Sequence, residues 1–253
     1  MEIRDIEKIE RVKGIASVVK SDDLIPFYTE RVEKFLTDNH SAYGDKWVKE
    51  SANKLYRFRG KNSGGDLLGS STNMGVAIAT FCPEIPLITG QQLLGLYIQA
   101  GNKNPFGNVY VDFGVQINDS PNANFAKAEI LLKDFKKRGI EVKEGRVLNF
   151  NQLRLIADPN AGLAYMLTED VSKDNLALVS EYPFKDIGVG VNGLLGVYLL
   201  KDSGLFFRYG NLVDSNNNGR VVRYDAEGVA PKKLAYSESN LIKSLTNNFL
   251  KKF

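Results

Sequence analysis

The feature that most constrains this fold is a change in hydrophobic period along the chain. Up to Gly60 the apolar residues recur at helical spacing. Beyond Asn108 they fall mainly into short runs bounded by Gly, Asn, Asp and Pro, with one helical interval. Such a chain puts helices first and strands after them. Ile3, Ile6, Ile9 and Val12 form a short stripe that Gly14 stops. Ser21-Asp22-Asp23 caps a helix through Leu24, Phe27, Val32, Phe35 and Leu36, expected to end near Asp38. A second helix is expected from Asp45 to Arg59, burying Trp47, Val48, Leu55 and Tyr56.

After a Gly/Ser/Asn-rich connection, the apolar run from Met74 to Phe81 reads as a strand leaving into Pro83 and Pro86. Thr89 and Gln92 make a Thr-x-x-Gln capping pair for a helix that Gly101 closes. Asn108 to Ile117 as a strand, Ala123 to Arg138 as a helix and Ile140 to Leu148 as a strand make one βαβ unit, expected to be a right-handed parallel crossover. Turn signals at Asp158–Gly162, Lys201–Gly204 and Asp214–Gly219 then predict three antiparallel hairpins, and Ser237 opens a last helix through Leu241, Ile242, Leu245, Phe249 and Leu250. The expected class is α+β: a helical N-terminal segment, a central βαβ unit, antiparallel hairpins in the C-terminal half and a C-terminal helix. The 253 residues fit a single domain, 1–253, subdivided at most into a helical segment 1–60, an α/β region 61–150 and a β-rich region 151–253 with the terminal helix.

Composition removes several function classes. One cysteine, Cys82, excludes an internal disulfide, and with one histidine, His40, it excludes the usual Cys/His zinc sites. No window approaches the ~20 apolar residues of a membrane span and the start lacks a signal-peptide run, so a soluble cytoplasmic protein without a membrane partner is expected. The formal charge of +3 is too small to argue for a polyanion on its own. Residues 229–253 are basic, with Lys232, Lys233, Lys243, Lys251 and Lys252 against one glutamate, the pattern of a solvated helix or of an acidic-partner contact.

Three groups of residues carry candidate chemistry. Asp214-Ser215-Asn216-Asn217-Asn218-Gly219 matches the first half of a calcium loop, with oxygen ligands at Asp214, Asn216 and Asn218 and Asp225 at the twelfth position. An Asn-Gly turn explains the same residues. Glu141-x-Lys143 puts a carboxylate and a cation on one strand face, and Asp112 on the preceding strand completes a candidate Mg²⁺ site. That arrangement resembles the core of PD-(D/E)xK nucleases, which implies metal-held phosphodiester cleavage with the lysine positioning the attacking water. Arg57, Arg59 and Lys61 flank the glycine-rich connection, whose amides suit an anion, and Asn118-Asp119-Ser120 lie beyond a strand end where ligands of open sheets sit. Gly188-x-Gly190-x-x-Gly193 lacks the strand-then-helix context of a dinucleotide fingerprint and reads as a flexible loop.

No coherent catalytic set emerges, so the leading expectation is an intracellular binding or assembly protein that requires no cofactor, whose partner is another protein or a second copy of the chain. The alternatives are a Mg²⁺-dependent nuclease-like enzyme acting on nucleic acid and a calcium-stabilised binding protein. Whether the chain is an enzyme stays open at this point.

Overall fold

The computed structural model describes residues 14–117, 125–141, 147–172, 184–186, 193–200, 206–209 and 211–226. The expected N-terminal stripe, the C-terminal helix and the basic segment fall outside them. The first elements are strand β1 (Gly14–Val18) and helix α1 (Ser21–Leu55), followed by helices α2 (Thr72–Phe81) and α3 (Gly90–Gln99). Next come β2 (Tyr110–Ile117), α4 (Phe125–Lys137), β3 (Val147–Asn149), β4 (Leu153–Asp158) and β5 (Gly162–Leu167). The remaining strands are β6 (Phe184–Asp186), β7 (Leu194–Leu199), β8 (Phe206–Tyr209), β9 (Gly219–Arg220) and β10 (Val222–Ala226). The protein is a mixed α+β structure. Its main sheet runs β3-β2-β7-β8-β6 with β9 beside β2, and β1–β10 and β4–β5 form two-stranded sheets.

The two expected early helices are present as α1, whose turn breaks at Gly44 (φ 75°) rather than near Asp38. Helix ends at Leu55, so Tyr56 to Gly60 is irregular backbone and not the expected helical end. Met74 to Phe81 is a helix, not a strand. The Ser71 hydroxyl caps it by accepting from the Met74 amide at 3.3 Å, and every residue from Thr72 to Ile78 is buried. A helix enclosed on all sides shows no amphipathic period, which is why its apolar run is indistinguishable from a buried strand in the sequence. The Thr89 capping box with Gln92 is present, and Gly101 (φ 68°) closes α3 as expected.

The expected parallel βαβ unit is corrected by the pairing. β2 and β3 are antiparallel neighbours, Gly114 opposite Asn149, despite the helix between them. The hairpins β4–β5 and β7–β8 form in the expected antiparallel sense. The third does not: β9 pairs in parallel with β2, and β10 pairs with β1, Val18 opposite Val222.

Two hydrophobic clusters form among the described residues. The larger gathers α1, α2, α4, β4 and β5 around Tyr28, Met74, Phe135 and Tyr165; the smaller joins α3 to the middle of the main sheet around Leu93, Phe113, Val197 and Phe206. β2 serves both. Its register against β7 slips between Asp112 and Gly114, a β-bulge, and on either side of it the buried residues change allegiance. Val111 and Phe113 belong to the smaller cluster, Val115 and Ile117 to the larger.

Candidate functional site: an acidic, aromatic-walled cleft

At this bulge the sheet borders a cleft of about 320 Å³, lined by Thr72 from the start of α2, Tyr110 and Asp112 from β2, Gly196 and Tyr198 from β7, Leu200, and Asn211, Asp214 and Asn216 from the loop that leads to β9. The strand period explains the first pair, since Tyr110 and Asp112 are two residues apart and share one face. Tyr198 lies directly opposite Asp112 across the β2–β7 ladder. The rings of Tyr110 and Tyr198 meet edge to face, 5.7 Å between centroids.

Asp112 is the central group. The Ser70 hydroxyl donates to its carboxyl, and among the described residues no cation forms an ion pair with it. Burial raises its pKa to about 7, against the opposing pull of the Ser70 hydrogen bond. Near neutral pH the group therefore exchanges between a neutral donor and an uncompensated anion, which suits it to hold a cation, donate a hydrogen bond or transfer a proton. Tyr110 differs, because its hydroxyl donates to the Ser70 carbonyl at 3.2 Å and accepts from the Asn216 amide at 3.1 Å. Its pKa is pushed up to about 12, first by burial and then by the Asp112 charge, so it presents a neutral ring to the cleft.

The loop 211–218 is fixed by bonds on both sides. The Asn73 amide of α2 donates to the Leu212 carbonyl at 3.0 Å, and the Tyr110 amide to the Asn218 carbonyl at 3.0 Å. Arg59 donates through Nε and Nη2 to the Ser215 carbonyl at 3.1 and 2.7 Å, while the Ser215 hydroxyl donates to the Arg57 carbonyl at 2.8 Å. Asn211 donates to the Asp214 carboxylate at 2.6 Å. Gly219 closes the loop where a Cβ would lie 2.6 Å from the Tyr110 hydroxyl, so this glycine makes room for the tyrosine.

The residues singled out in the sequence are thus redistributed. Asp112, taken from the nuclease pattern, shares the cleft with Asp214 and Asn216, taken from the calcium pattern. Glu141 is exposed in irregular backbone after α4, and Lys143 lies outside the described residues. Asn218 donates its amide to the Asn216 side chain at 2.8 Å, whereas Asp225 sits on β10 with both carboxylate oxygens bonded by Arg223 at 2.8 and 2.6 Å. No group of three His, Cys, Asp or Glu residues placed to hold a metal occurs among the described residues. Arg59 serves the loop and Lys61 pairs with Asp22 at 2.9 Å. Asn118, Asp119 and Ser120 lie outside the described residues. Thr72, Tyr110, Tyr198 and Asn211 went unnoticed in the sequence, although the Tyr-x-Asp spacing of β2 would have flagged one of them.

The chain matches no protein-family model, no curated protein and no solved structure. Among the described residues no helix is long and apolar enough to cross a membrane. What the chain does must therefore be argued from its own cleft.

Proposed function

We propose that the protein binds a small molecule in the Asp112 cleft. The observation that carries this reading is a desolvated carboxyl with no ion-pair partner among the described residues, in the wall of a cleft of about 320 Å³ that two tyrosines also line. That volume is at the lower end of the ~300–1,000 Å³ typical of ligand sites, and the wall chemistry matches them: apolar and aromatic surface with a few convergent polar groups. Leaving a carboxyl desolvated and unpaired costs stability, and such a cost is characteristic of residues kept for function.

The test is a fragment library screened by ¹H–¹⁵N NMR, with Ca²⁺ and Mg²⁺ as separate arms. The expected result is a subset of compounds shifting the amides of Thr72, Asp112, Gly196 and Asn216 together. Compounds that shift only amides elsewhere, or a library that shifts none, would overturn the reading.

A further inference from the structure

Building on that reading, we infer that the cleft takes a compact organic cation, its ammonium group against the Asp112 carboxyl and its hydrocarbon body against the rings of Tyr110 and Tyr198. Four observations converge on this class. Asp112 and Asp214 both line the cleft, and among the described residues no lysine, arginine or histidine does. The nearby Arg220 on β9 directs its guanidinium to the carbonyls of Asn217 and Gly219, at 2.7 and 2.8 Å. Helix α2 and strand β7 contain no charged residue at all. The Tyr110 hydroxyl is already bonded at Ser70 and Asn216, which leaves its π face as the feature it offers, and aromatic faces attract cations.

The start of α2 does not argue for an anion here. Its amides at Asn73, Met74 and Gly75 donate to the Leu212 carbonyl, the Ser71 hydroxyl and the Ser71 carbonyl, so of the first helical amides only that of Thr72 is left for the cleft, against two carboxylates. A bare divalent ion fits less well than an organic one. Calcium asks for six to eight oxygens close around it, whereas the described residues bring two carboxylates to this cleft, and the side-chain oxygens of Asn211 and Asn216 already accept from the Val213 and Asn218 amides. The ionised form of Asp112 is the partner an ammonium needs, so binding releases a proton from a carboxyl that titrates near 7. Asp214 is the other acid among the described residues that line the cleft, and Tyr110 stays protonated across the neutral range.

Calorimetry with benzylamine and cyclohexylmethylamine, set against benzyl alcohol, cyclohexylmethanol, CaCl₂ and MgCl₂, tests the assignment, with the Thr72 and Gly196 amides reporting location. At pH 8 the amines should bind roughly tenfold or more tightly than the alcohols, since a charged hydrogen bond to a desolvated carboxylate replaces a neutral one. Their affinity should fall roughly tenfold or more on going to pH 5.5, as Asp112 takes up its proton. Asp112→Asn should abolish both the preference for amines and its pH dependence, while Tyr198→Leu should weaken every probe and leave the pH dependence intact. Alcohols binding in the cleft as tightly as the amines would overturn the cationic class and leave the small-molecule reading standing. Ca²⁺ or Mg²⁺ perturbing the cleft amides while the amines do not would overturn it in favour of a metal. Silence from both amines up to millimolar concentration overturns the class as well, and the fragment screen then decides whether the cleft binds anything.

Discussion

The hydroxyl of Ser70 donates to the carboxyl of Asp112, tying the residue just ahead of the α2 cap to the middle of the main sheet 42 positions later. This single bond crosses the line where helix meets sheet, and it offsets only part of what burial costs the charged carboxyl. Several measurable consequences depend on that balance and on the contacts around it.

The folded-state pKa of Asp112 is raised, to about 7, above its ordinary carboxylate value. A proton therefore binds the folded chain more tightly than the unfolded one. The stability this contributes is fully present below the ordinary carboxylate range and is lost as the pH rises through about 7. Asparagine keeps the shape and an acceptor for Ser70 but cannot ionise. Asp112→Asn should accordingly be more stable than the parent at pH 8, by on the order of 1–3 kcal/mol, with the gain vanishing by pH 4. Urea unfolding at the two pH values checks this, and a variant less stable than the parent at pH 8 would count against it.

Arg59 holds the cleft loop by its two bonds to the Ser215 carbonyl. Arg59→Ala should cost about 1 kcal/mol or less of global stability, because the side chain is exposed. Its local effect should be larger. Amide exchange at Asn216 and Asn218 should quicken, and affinity for a cleft ligand should drop, since Asn211, Asp214 and Asn216 all ride on that loop. Unchanged exchange rates would show that the loop holds itself.

Gly114 sits opposite β3, where a Cβ would come within 2.3 Å of the Leu148 carbonyl oxygen. Backbone offers little room to yield, so Gly114→Ala should destabilise by about 2–4 kcal/mol. Trp47, the sole tryptophan of the chain and only 8% exposed, gives a fluorescence readout of unfolding. A loss below about 0.5 kcal/mol would mean that β3 moves freely away from β2.

The Tyr165 hydroxyl donates to the side-chain oxygen of Asn73, and both residues are fully buried. Tyr165→Phe removes the donor and leaves the amide oxygen without it, at a cost of about 1–3 kcal/mol. Because Asn73 also positions Leu212 through its backbone, the substitution should leave the cleft loop in place, with cleft amide shifts unchanged in the NMR spectrum.

Local rules made part of this molecule readable in advance. The Thr89 and Gln92 cap and the β4–β5 turn are encoded within a few residues, and both form where the sequence predicts them. The failures have a common physical origin, burial from all sides or pairing at long range. α2 is enclosed, so its apolar run has no polar face to show the helical period. β2 and β3 look parallel because a helix separates them, yet their direction is settled by partners far along the chain. The cleft was half legible: Asp112, Asp214 and Asn216 were all noticed, but as members of separate sites, because only the β2–β9 and β2–β7 registers bring them together.

The slip at Asp112 to Gly114 carries a last implication, for length rather than for chemistry. A strand without it would keep one parity throughout, and Val115 and Ile117 would turn toward the same side as Val111 and Phe113. Deleting Phe113 should instead close the bulge: Asp112 and Gly114 would run consecutively opposite Tyr198 and Val197, Val115 and Ile117 would keep their side, and the loss would be the Phe113 ring from the smaller cluster. The extra residue thus adds a ring to one cluster without changing what β2 gives the other.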